Sequence, residues 1–175
     1  MSDRLSITAA TPADIPLMLE LIRALADYEK MPERAVATAA DLEAALFGRQ
    51  PSAEALIARC DGEAAGFALF FHNFSTWLGR HGLYLEDLFV KPQFRGRAIG
   101  KALLSHLAAV AVARGCGRFD WQVLDWNQPA RDFYESLGAE ALTPWVNYRL
   151  TGEPLVRLAA GSVTAAAAGS ARRDS

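Results

Sequence analysis

Residues 83–101 read L-Y-L-E-D-L-F-V-K-P-Q-F-R-G-R-A-I-G-K, and this stretch decides the fold. Its first part is rich in strand formers, which predicts a strand over 83–90. A turn containing a proline follows, and apolar residues at helical spacing then predict a helix over 97–114. A strand that passes through a glycine-bearing loop into a helix leaves backbone N–H groups unpaired at the positive end of the helix dipole. The loop of residues 95–101, hereafter the anion loop, is therefore predicted to bind a phosphate-bearing molecule.

Basic side chains are concentrated around this loop, although the formal net charge of the chain is −2. We expect four of them to crowd around the anion: Lys91, Arg95, Arg97 and Lys101. Taken alone, the loop is open to three interpretations, namely a solvated basic loop, a dinucleotide-binding turn and a coenzyme A site. The dinucleotide fingerprint G-x-G-x-x-G fits poorly, because an arginine stands at its first glycine and Asp120 lies inside its own strand.

Composition is that of an ordinary globular protein with one core. The chain has 175 residues, of which 51% are apolar and 22% charged, and this length suits a single domain. Cys60 and Cys116 are far apart and the histidines lack metal-binding spacing, so we expect reduced thiols and no metal. Without an apolar leader or a segment of membrane-spanning length, the sequence predicts a cytoplasmic protein that binds neither membrane nor nucleic acid.

Strand and helix patterns alternate along the rest of the chain. Further strands are predicted at 5–9, 55–60, 63–74, 118–123 and 145–150, and further helices at 12–26, 38–48, 127–137 and 154–159. Asp61-Gly62 supplies a tight hairpin turn, and Gly66 is expected at a bulge. The pattern predicts an α/β protein with a mixed sheet and helices on both faces. The domain is expected to span 1–159, followed by a flexible Ala-rich tail at 160–175.

Two adjacent acids, Glu86 and Asp87, lie inside the central predicted strand. Regular alternation would place Tyr84, Glu86 and Leu88 on one face and Asp87 on the other. Only one of the two carboxylates would then face a substrate, where it could accept a proton directly or through a water. For an isolated glutamate, a salt-bridged position on the sheet is the simpler interpretation.

The anion loop resembles the R-x-x-G-x-G/A loop with which the Gcn5-related N-acetyltransferase (GNAT) superfamily holds the pyrophosphate of acetyl-CoA. L-Y-L-E-D at 83–87, D-W-N-Q-P at 125–129 and F-Y at 133–134 resemble its diamine (spermidine/spermine) N-acetyltransferase family. V-L-D-W-N-Q at 123–128 is nearer to the thialysine-acetylating branch, and L-A-D-Y-E at 25–29 also matches.

The resemblance covers most of the chain and implies a fold. It implies the GNAT fold, a mostly antiparallel twisted sheet with a parallel pair at the cofactor site. The reaction implied is transfer of the acetyl group of acetyl-CoA to a primary amine of a small cationic molecule, by direct attack in a ternary complex. Thialysine, lysine-like amino acids, diamines and polyamines are the expected acceptors, and the family analogy implies a homodimer.

Site residues also follow from the resemblance. Glu86 would accept the ammonium proton, whose removal at pH 7 costs about 4–5 kcal/mol for a pKa near 10.4, and Tyr134 would protonate the leaving sulfur. An acidic, aromatic-edged amine pocket would be formed by Tyr28, Glu29 and Glu86. The residues expected to touch the cofactor are the backbone of Leu88, Phe89 and Val90, the loop residues Arg95, Gly96, Arg97, Ala98, Ile99, Gly100 and Lys101, and the helix start Asn127, Gln128, Pro129 and Ala130.

The sequence departs from the family pattern in two regions. Ala98 replaces the first loop glycine, and phosphate binding is expected to persist with Ala98 at a negative φ. Val146 and Asn147 stand where polyamine-specific members carry a carboxylate. Acetylation of a peptide or protein, and acyl-CoA binding without catalysis, are the alternative functions. The remaining His and Trp residues are interpreted as structural or packing residues: His72, His81, His106, Trp77, Trp121, Trp126 and Trp145.

Overall fold

The computed structural model describes residues 4–143 and 145–161. The chain forms two compact units, Met1–Asp125 and Trp126–Ser175. The first unit contains β1 (Leu5–Ala9), α1 (Ile15–Tyr28), α2 (Ala39–Phe47), β2 (Glu54–Cys60), β3 (Glu63–Ser75), β4 (Arg80–Val90), α3 (Ile99–Ala113) and β5 (Phe119–Trp121). The second contains α4 (Gln128–Ser136) and α5 (Gly152–Ala160). Nearly all of the predicted tail, from residue 162 onward, lies outside the described residues.

The described strands of the first unit form one sheet in the order β1-β2-β3-β4-β5. The first four strands pair antiparallel, and β4 pairs with β5 in parallel. Asp61 and Gly62 have φ values of 50° and 87°, the positive angles that a two-residue hairpin turn requires. The mixed sheet with one parallel pair confirms the predicted fold class.

Helices α1 and α2 cover the face of the sheet that carries Ile57, Phe67 and Phe89. Ile57 and Phe67 are direct partners across β2 and β3, and directly opposite residues lie on the same face. The most deeply buried residues of α1 are Met18 and Leu21. Leu21 lies one helical turn from Met18, and both belong to this core.

Helix α3 packs against β2, β3 and β4 and forms no part of the cluster built by α1 and α2. Its buried residues are Ile99, Leu103, Leu104, Leu107 and Ala111, which recur at helical spacing. Leu83 of β4 and Phe70 of β3 are also fully buried. By alternation along the strands, they lie on the face opposite to the one that α1 covers. The sheet is therefore covered on both faces, with α3 beginning just beyond the end of β4.

A β-bulge near Gly66 was predicted, and the register shift falls beside it. Ala58 pairs with Gly66, whereas Arg59 pairs with Ala64, so Ala65 is the extra residue. Gly66 itself is needed for close approach of the strands, because a Cβ there would lie 2.4 Å from the carbonyl oxygen of Phe89.

The prediction of a strand at 145–150 is wrong, and β5 is shorter than predicted. Residues 145–150 have no regular secondary structure and are exposed, with Tyr148 at 94%. A strand pattern becomes a strand only where a neighbouring strand pairs with its N–H and C=O groups, and no strand lies in the described part of the second unit.

Three tryptophans predicted to be structural or packing residues are also exposed, Trp77 at 85%, Trp145 at 69% and Trp126 at 47%. No helix in residues 4–143 and 145–161 has the length and apolarity needed to cross a bilayer.

Candidate active site

The C-terminal part of β4 has an open edge. Its pairing with β5 covers Leu83, Tyr84 and Leu85 only, and β4 continues to Val90 with no further described strand on that side. The Phe89 carbonyl points toward Gly66 of β3, so by alternation the main-chain groups of Leu88 and Val90 point to the open edge. Such an edge can hydrogen-bond an extended, amide-bearing chain as an added strand. Three residues were expected to contact the cofactor through their backbone. Leu88 and Val90 are oriented to do so at the open edge, whereas the Phe89 carbonyl faces β3.

The anion loop follows at the start of α3. Gly96 has a φ of 76°, and a side chain there would meet no other atom within 4 Å. The first hydrogen bond of the helix runs from the Ala102 N–H to the Ala98 carbonyl, at 2.9 Å. The N–H groups of Ile99, Gly100 and Lys101 precede that bond, so the helix itself cannot pair them. They lie at the positive end of the helix dipole, which attracts an anion.

Ala98 was expected at a negative φ, and this expectation is wrong. Its φ is 57° and its ψ is 14°, the left-handed conformation, at the N-cap of α3. The chain must turn sharply there to enter the helix, and a glycine would do so without a steric penalty. An alanine in this conformation costs about 1–2 kcal/mol.

The four basic side chains do not all lie at the anion loop, which corrects the expectation that they crowd around a bound anion. The Lys91 ammonium forms an ion pair with Glu20 of α1 at 2.9 Å. It therefore points toward the face of the sheet that α1 covers. Arg97 stacks over Phe94 at 5.5 Å and is exposed, as is Lys101. Arg95 folds back instead, and its Nε donates a hydrogen bond of 3.1 Å to the Val90 carbonyl.

A second bulge interrupts β4 at Glu86. Asp87 pairs with Leu69, whereas Leu85 pairs with Phe70, so Glu86 is the extra residue without a partner. Regular alternation is lost at this point. The expectation that Tyr84 and Leu88 share a face is therefore wrong. Tyr84 pairs with Phe71, and Leu88 pairs with Ala68. Because Phe71 and Ala68 are an odd number of residues apart on β3, their side chains lie on opposite faces of the sheet.

The bulge places the two adjacent acids in different surroundings. Glu86 is exposed, whereas Asp87 is half-buried on the face that carries Leu69 and the core under α1. The pKa of Asp87 is raised to about 6, mainly by burial and also by the negative charges of Glu86 and Glu29. Sequence reasoning did not select Asp87, because nothing in the sequence of β4 marks the position of the bulge.

The C-terminal end of α1 supplies the other acidic group. Glu29 is the C-cap of the helix, and burial raises the pKa of its carboxyl. Its charge reaches Asp87, so the predicted pocket residue Glu29 lies near the acids of β4. Tyr28, the last residue of α1, is 37% exposed, and Arg95 lies over its ring at 4.7 Å from the ring centre. Two residues predicted for the amine pocket, Tyr28 and Glu29, thus lie near the bulge of β4 that carries the third, Glu86, together with Asp87.

The other predicted residues lie in the second unit. Asn127 caps α4, and its side-chain oxygen accepts a hydrogen bond from the Ala130 N–H at 3.4 Å. Gln128 donates to Asp132 at 2.6 Å, and Pro129 lies in the first turn, as predicted. Tyr134 is half-buried, with its ring 5.4 Å from that of Phe133. Val146 and Asn147 are exposed in the irregular segment.

The donors of the first unit suit one kind of ligand. Main-chain N–H groups and arginines at the start of α3 suit a diphosphate, and the open edge of β4 suits an amide-bearing arm that continues from it. Among the described residues, no three His, Cys, Asp or Glu side chains are grouped so as to hold a metal ion. The mixed sheet, the parallel β4–β5 pair and the helix after β4 define a protein of the α/β class, with an anion site beside an open strand edge.

Comparison with known proteins identifies the family. The Acetyltransferase (GNAT) family profile matches residues 18–139. The chain is 38% identical to a thialysine N-epsilon-acetyltransferase of Sus scrofa, over 87% of this chain and 96% of that one. It is 31% identical to an L-ornithine N5-acetyltransferase of Arabidopsis thaliana, over 85% of each. Among solved structures, an integron cassette protein of the V. cholerae mobile metagenome aligns with a TM-score of 0.75 and 29% identity, over 91% of this chain and 98% of that one.

The chain therefore belongs to the GNAT family and is an N-acetyltransferase. The resemblance to its thialysine-acetylating branch is confirmed by these relatives.

Proposed function

We propose that this enzyme transfers the acetyl group of acetyl-CoA to a primary amine of a small cationic molecule. One observation carries the proposal: Arg95 of the anion loop hydrogen-bonds the Val90 carbonyl at the end of β4 and lies over the ring of Tyr28, so the loop and the acidic end of α1 are neighbours. A diphosphate is attracted to the first and an ammonium to the second. The thialysine and ornithine named for the two relatives both carry a primary amine at the end of a short chain.

Acetyl-CoA supplies an acetyl group activated as a thioester. The N–H groups of Ile99, Gly100 and Lys101, with Arg97, hold the diphosphate, and the open edge at Leu88 and Val90 holds the amide-bearing arm. By the same resemblance, residues 127–130 contact the cofactor. These assignments draw on the resemblance, and the helix start and the open edge of the first unit support them.

Proton movements fall to two side chains. Glu86 removes a proton from the substrate ammonium, directly or through a water, and its exposure on the bulge gives solvent access. Tyr134 gives a proton to the departing sulfur, because a tyrosine hydroxyl remains a donor at neutral pH. The neutral amine attacks the thioester carbonyl directly, with both substrates bound. The C–S bond then breaks, and the second proton lost from the nitrogen restores the Tyr134 hydroxyl. Cys60 is a buried residue of β2, so it is poorly placed to carry an acyl group.

The acceptor is held by Tyr28 and Glu29 beside Glu86. An aromatic edge next to carboxylates suits an ammonium group. Val146 and Asn147 supply no carboxylate for a second or third ammonium, so we propose that amino acids with a terminal amine, such as thialysine and lysine, are acetylated in preference to long polyamines.

A substrate panel tests the proposal. Thiol release from acetyl-CoA is measured with thialysine, lysine, ornithine, putrescine, spermidine and short lysine peptides. We expect the highest kcat/KM with the amino acids. Activity confined to peptides would overturn the choice of acceptor and favour a protein acetyltransferase. Calorimetric binding of coenzyme A without thiol release on any amine would instead indicate a non-catalytic acyl-CoA-binding domain.

A homodimer, a cytoplasmic location and a domain that ends near residue 159 are also proposed. The first rests on the family resemblance, and the second on two cysteines that are both free thiols, as in reducing compartments. Light scattering on the purified chain, compared with the mass of 19.0 kDa for one copy, tests the dimer.

A further inference from the structure

Arg95 lies where the anion loop meets the amine pocket. Its Nε donates a hydrogen bond of 3.1 Å to the Val90 carbonyl at the open edge. Its guanidinium carbon lies 4.7 Å from the centre of the Tyr28 ring and 5.8 Å from that of the Phe89 ring. Both distances are within the range of a cation–π interaction. One exposed side chain thus touches a predicted cofactor-binding residue and a predicted amine-binding residue at the same time.

These contacts put a positive charge on the aromatic surface that would receive a substrate ammonium. Tyr28 is the exposed aromatic residue at the end of α1, and a second cation beside the guanidinium would be repelled. Arg95 also uses the Val90 carbonyl, which an amide of the cofactor arm would otherwise bond. The side chain therefore competes with both substrates in its observed position.

We propose that Arg95 is a positioning residue that couples the binding of coenzyme A to the binding of the amine. A diphosphate at the start of α3 is a stronger partner for a guanidinium than an aromatic ring, because it is an anion that accepts paired hydrogen bonds. Arg95 precedes that helix start by only a few residues. When it turns to the diphosphate, its charge no longer repels an ammonium at the Tyr28 ring, and the Val90 carbonyl can bond the cofactor arm.

Coupling of this kind is reciprocal. Coenzyme A raises the affinity for the amine, and the amine raises the affinity for coenzyme A by the same factor. The inference rests on the proposed function, since it needs a diphosphate in the anion loop and an ammonium at Tyr28.

Titration calorimetry measures the coupling directly. Thialysine is titrated into the protein with and without saturating coenzyme A, which carries the diphosphate but no acetyl group, so no reaction follows. In the wild type we expect binding about tenfold tighter with coenzyme A, within the usual span of coupling free energies. In Arg95→Gln the factor falls below about twofold, and thialysine alone binds more tightly than to the wild type because the guanidinium charge no longer lies over the Tyr28 ring. Tyr28→Leu also loses the coupling.

Arg97→Gln is the matched control, because Arg97 belongs to the same loop but stacks on Phe94 rather than on Tyr28. It binds coenzyme A more weakly and keeps the coupling factor. If Arg95→Gln keeps the factor, or Arg97→Gln loses it equally, the inference is overturned and a general effect of loop charge replaces it. If the wild type binds coenzyme A normally without coupling, only this inference fails. If it does not bind coenzyme A at all, the proposed function fails as well.

Discussion

Replacing Asp87 with asparagine tests the arrangement of acids at the bulge of β4. The pKa of Asp87 is raised from 3.8 to about 6 in the folded protein. This rise of about 2 pKa units corresponds to about 3 kcal/mol at 1.36 kcal/mol per unit. The charged carboxylate is therefore disfavoured in the folded state, and the protonated carboxyl, which asparagine imitates, is favoured.

The sign of the effect depends on pH. Below pH 3.8 the carboxyl is protonated in both states, so folding carries no penalty from it. Between pH 3.8 and 6 the folded protein binds more protons than the unfolded chain, and its stability falls as the pH rises. Above pH 6 the carboxyl is ionised in both states and the full penalty of about 3 kcal/mol applies.

Urea unfolding from pH 4 to pH 8, followed by tryptophan fluorescence, measures the difference between Asp87→Asn and the wild type. We expect a difference near zero at pH 4 that rises to a stabilisation of about 3 kcal/mol at pH 8. Carboxylates with a lowered pKa, such as Asp14 and Glu54, change both proteins alike and cancel. Glu86→Gln is the control on the same bulge and should change stability by less than about 1 kcal/mol, because Glu86 is exposed. A difference independent of pH, or a destabilisation at pH 8, would refute the reasoning.

Three further substitutions test other parts of the site. Ala98→Gly removes the strain of a left-handed alanine and should stabilise the protein by about 0.5–1 kcal/mol in urea unfolding. The control Ala102→Gly, inside α3, should destabilise the protein by about 1 kcal/mol. Equal effects of the two substitutions would contradict the assignment of strain to Ala98. Tyr134→Phe should lower kcat by about 10²–10⁴-fold with an unchanged circular dichroism spectrum. The control Tyr148→Phe, at an exposed position of the same unit, should leave kcat unchanged. A fully active Tyr134→Phe enzyme would exclude the proton-donor role. Gly66→Ala should destabilise by more than about 1 kcal/mol, because its Cβ would lie 2.4 Å from a carbonyl oxygen of β4; a wild-type melting temperature would show that the two strands part easily.

The parts of the fold that local chemistry determines were predicted from the sequence. Strand formers before a proline turn and apolar residues at helical spacing after it gave β4, the anion loop and α3 within a few residues. Asp61 and Gly62 gave the hairpin, because their positive φ values are a local requirement. The match of residues 18–139 to the family profile then confirmed the family that these segments resemble.

What the sequence did not show depends on partners distant along the chain. The bulge at Glu86 follows from how β4 packs on β3, and one extra residue changes which side chains share a face. The pairing of Lys91 with Glu20 requires α1 to lie over the sheet. The segment 145–150 has the composition of a strand, yet a strand also needs a pairing edge, which composition does not report.

The two substrates of the proposed reaction carry opposite charges, and the charges of the first unit fix their orientation. Carboxyl groups lie at the end of α1 and on the bulge of β4, and the N–H groups and arginines of the anion loop lie beyond the end of the strand. With a net charge of only −2, the protein as a whole steers neither substrate strongly, so the selection is made at contact distance. A diphosphate placed at the acidic end would meet Glu29 and Glu86, and an ammonium placed at the loop would meet arginine. Arg95 is the cation that reaches from the loop to the acidic end, and its movement toward a diphosphate would sharpen this separation of charge when the cofactor binds.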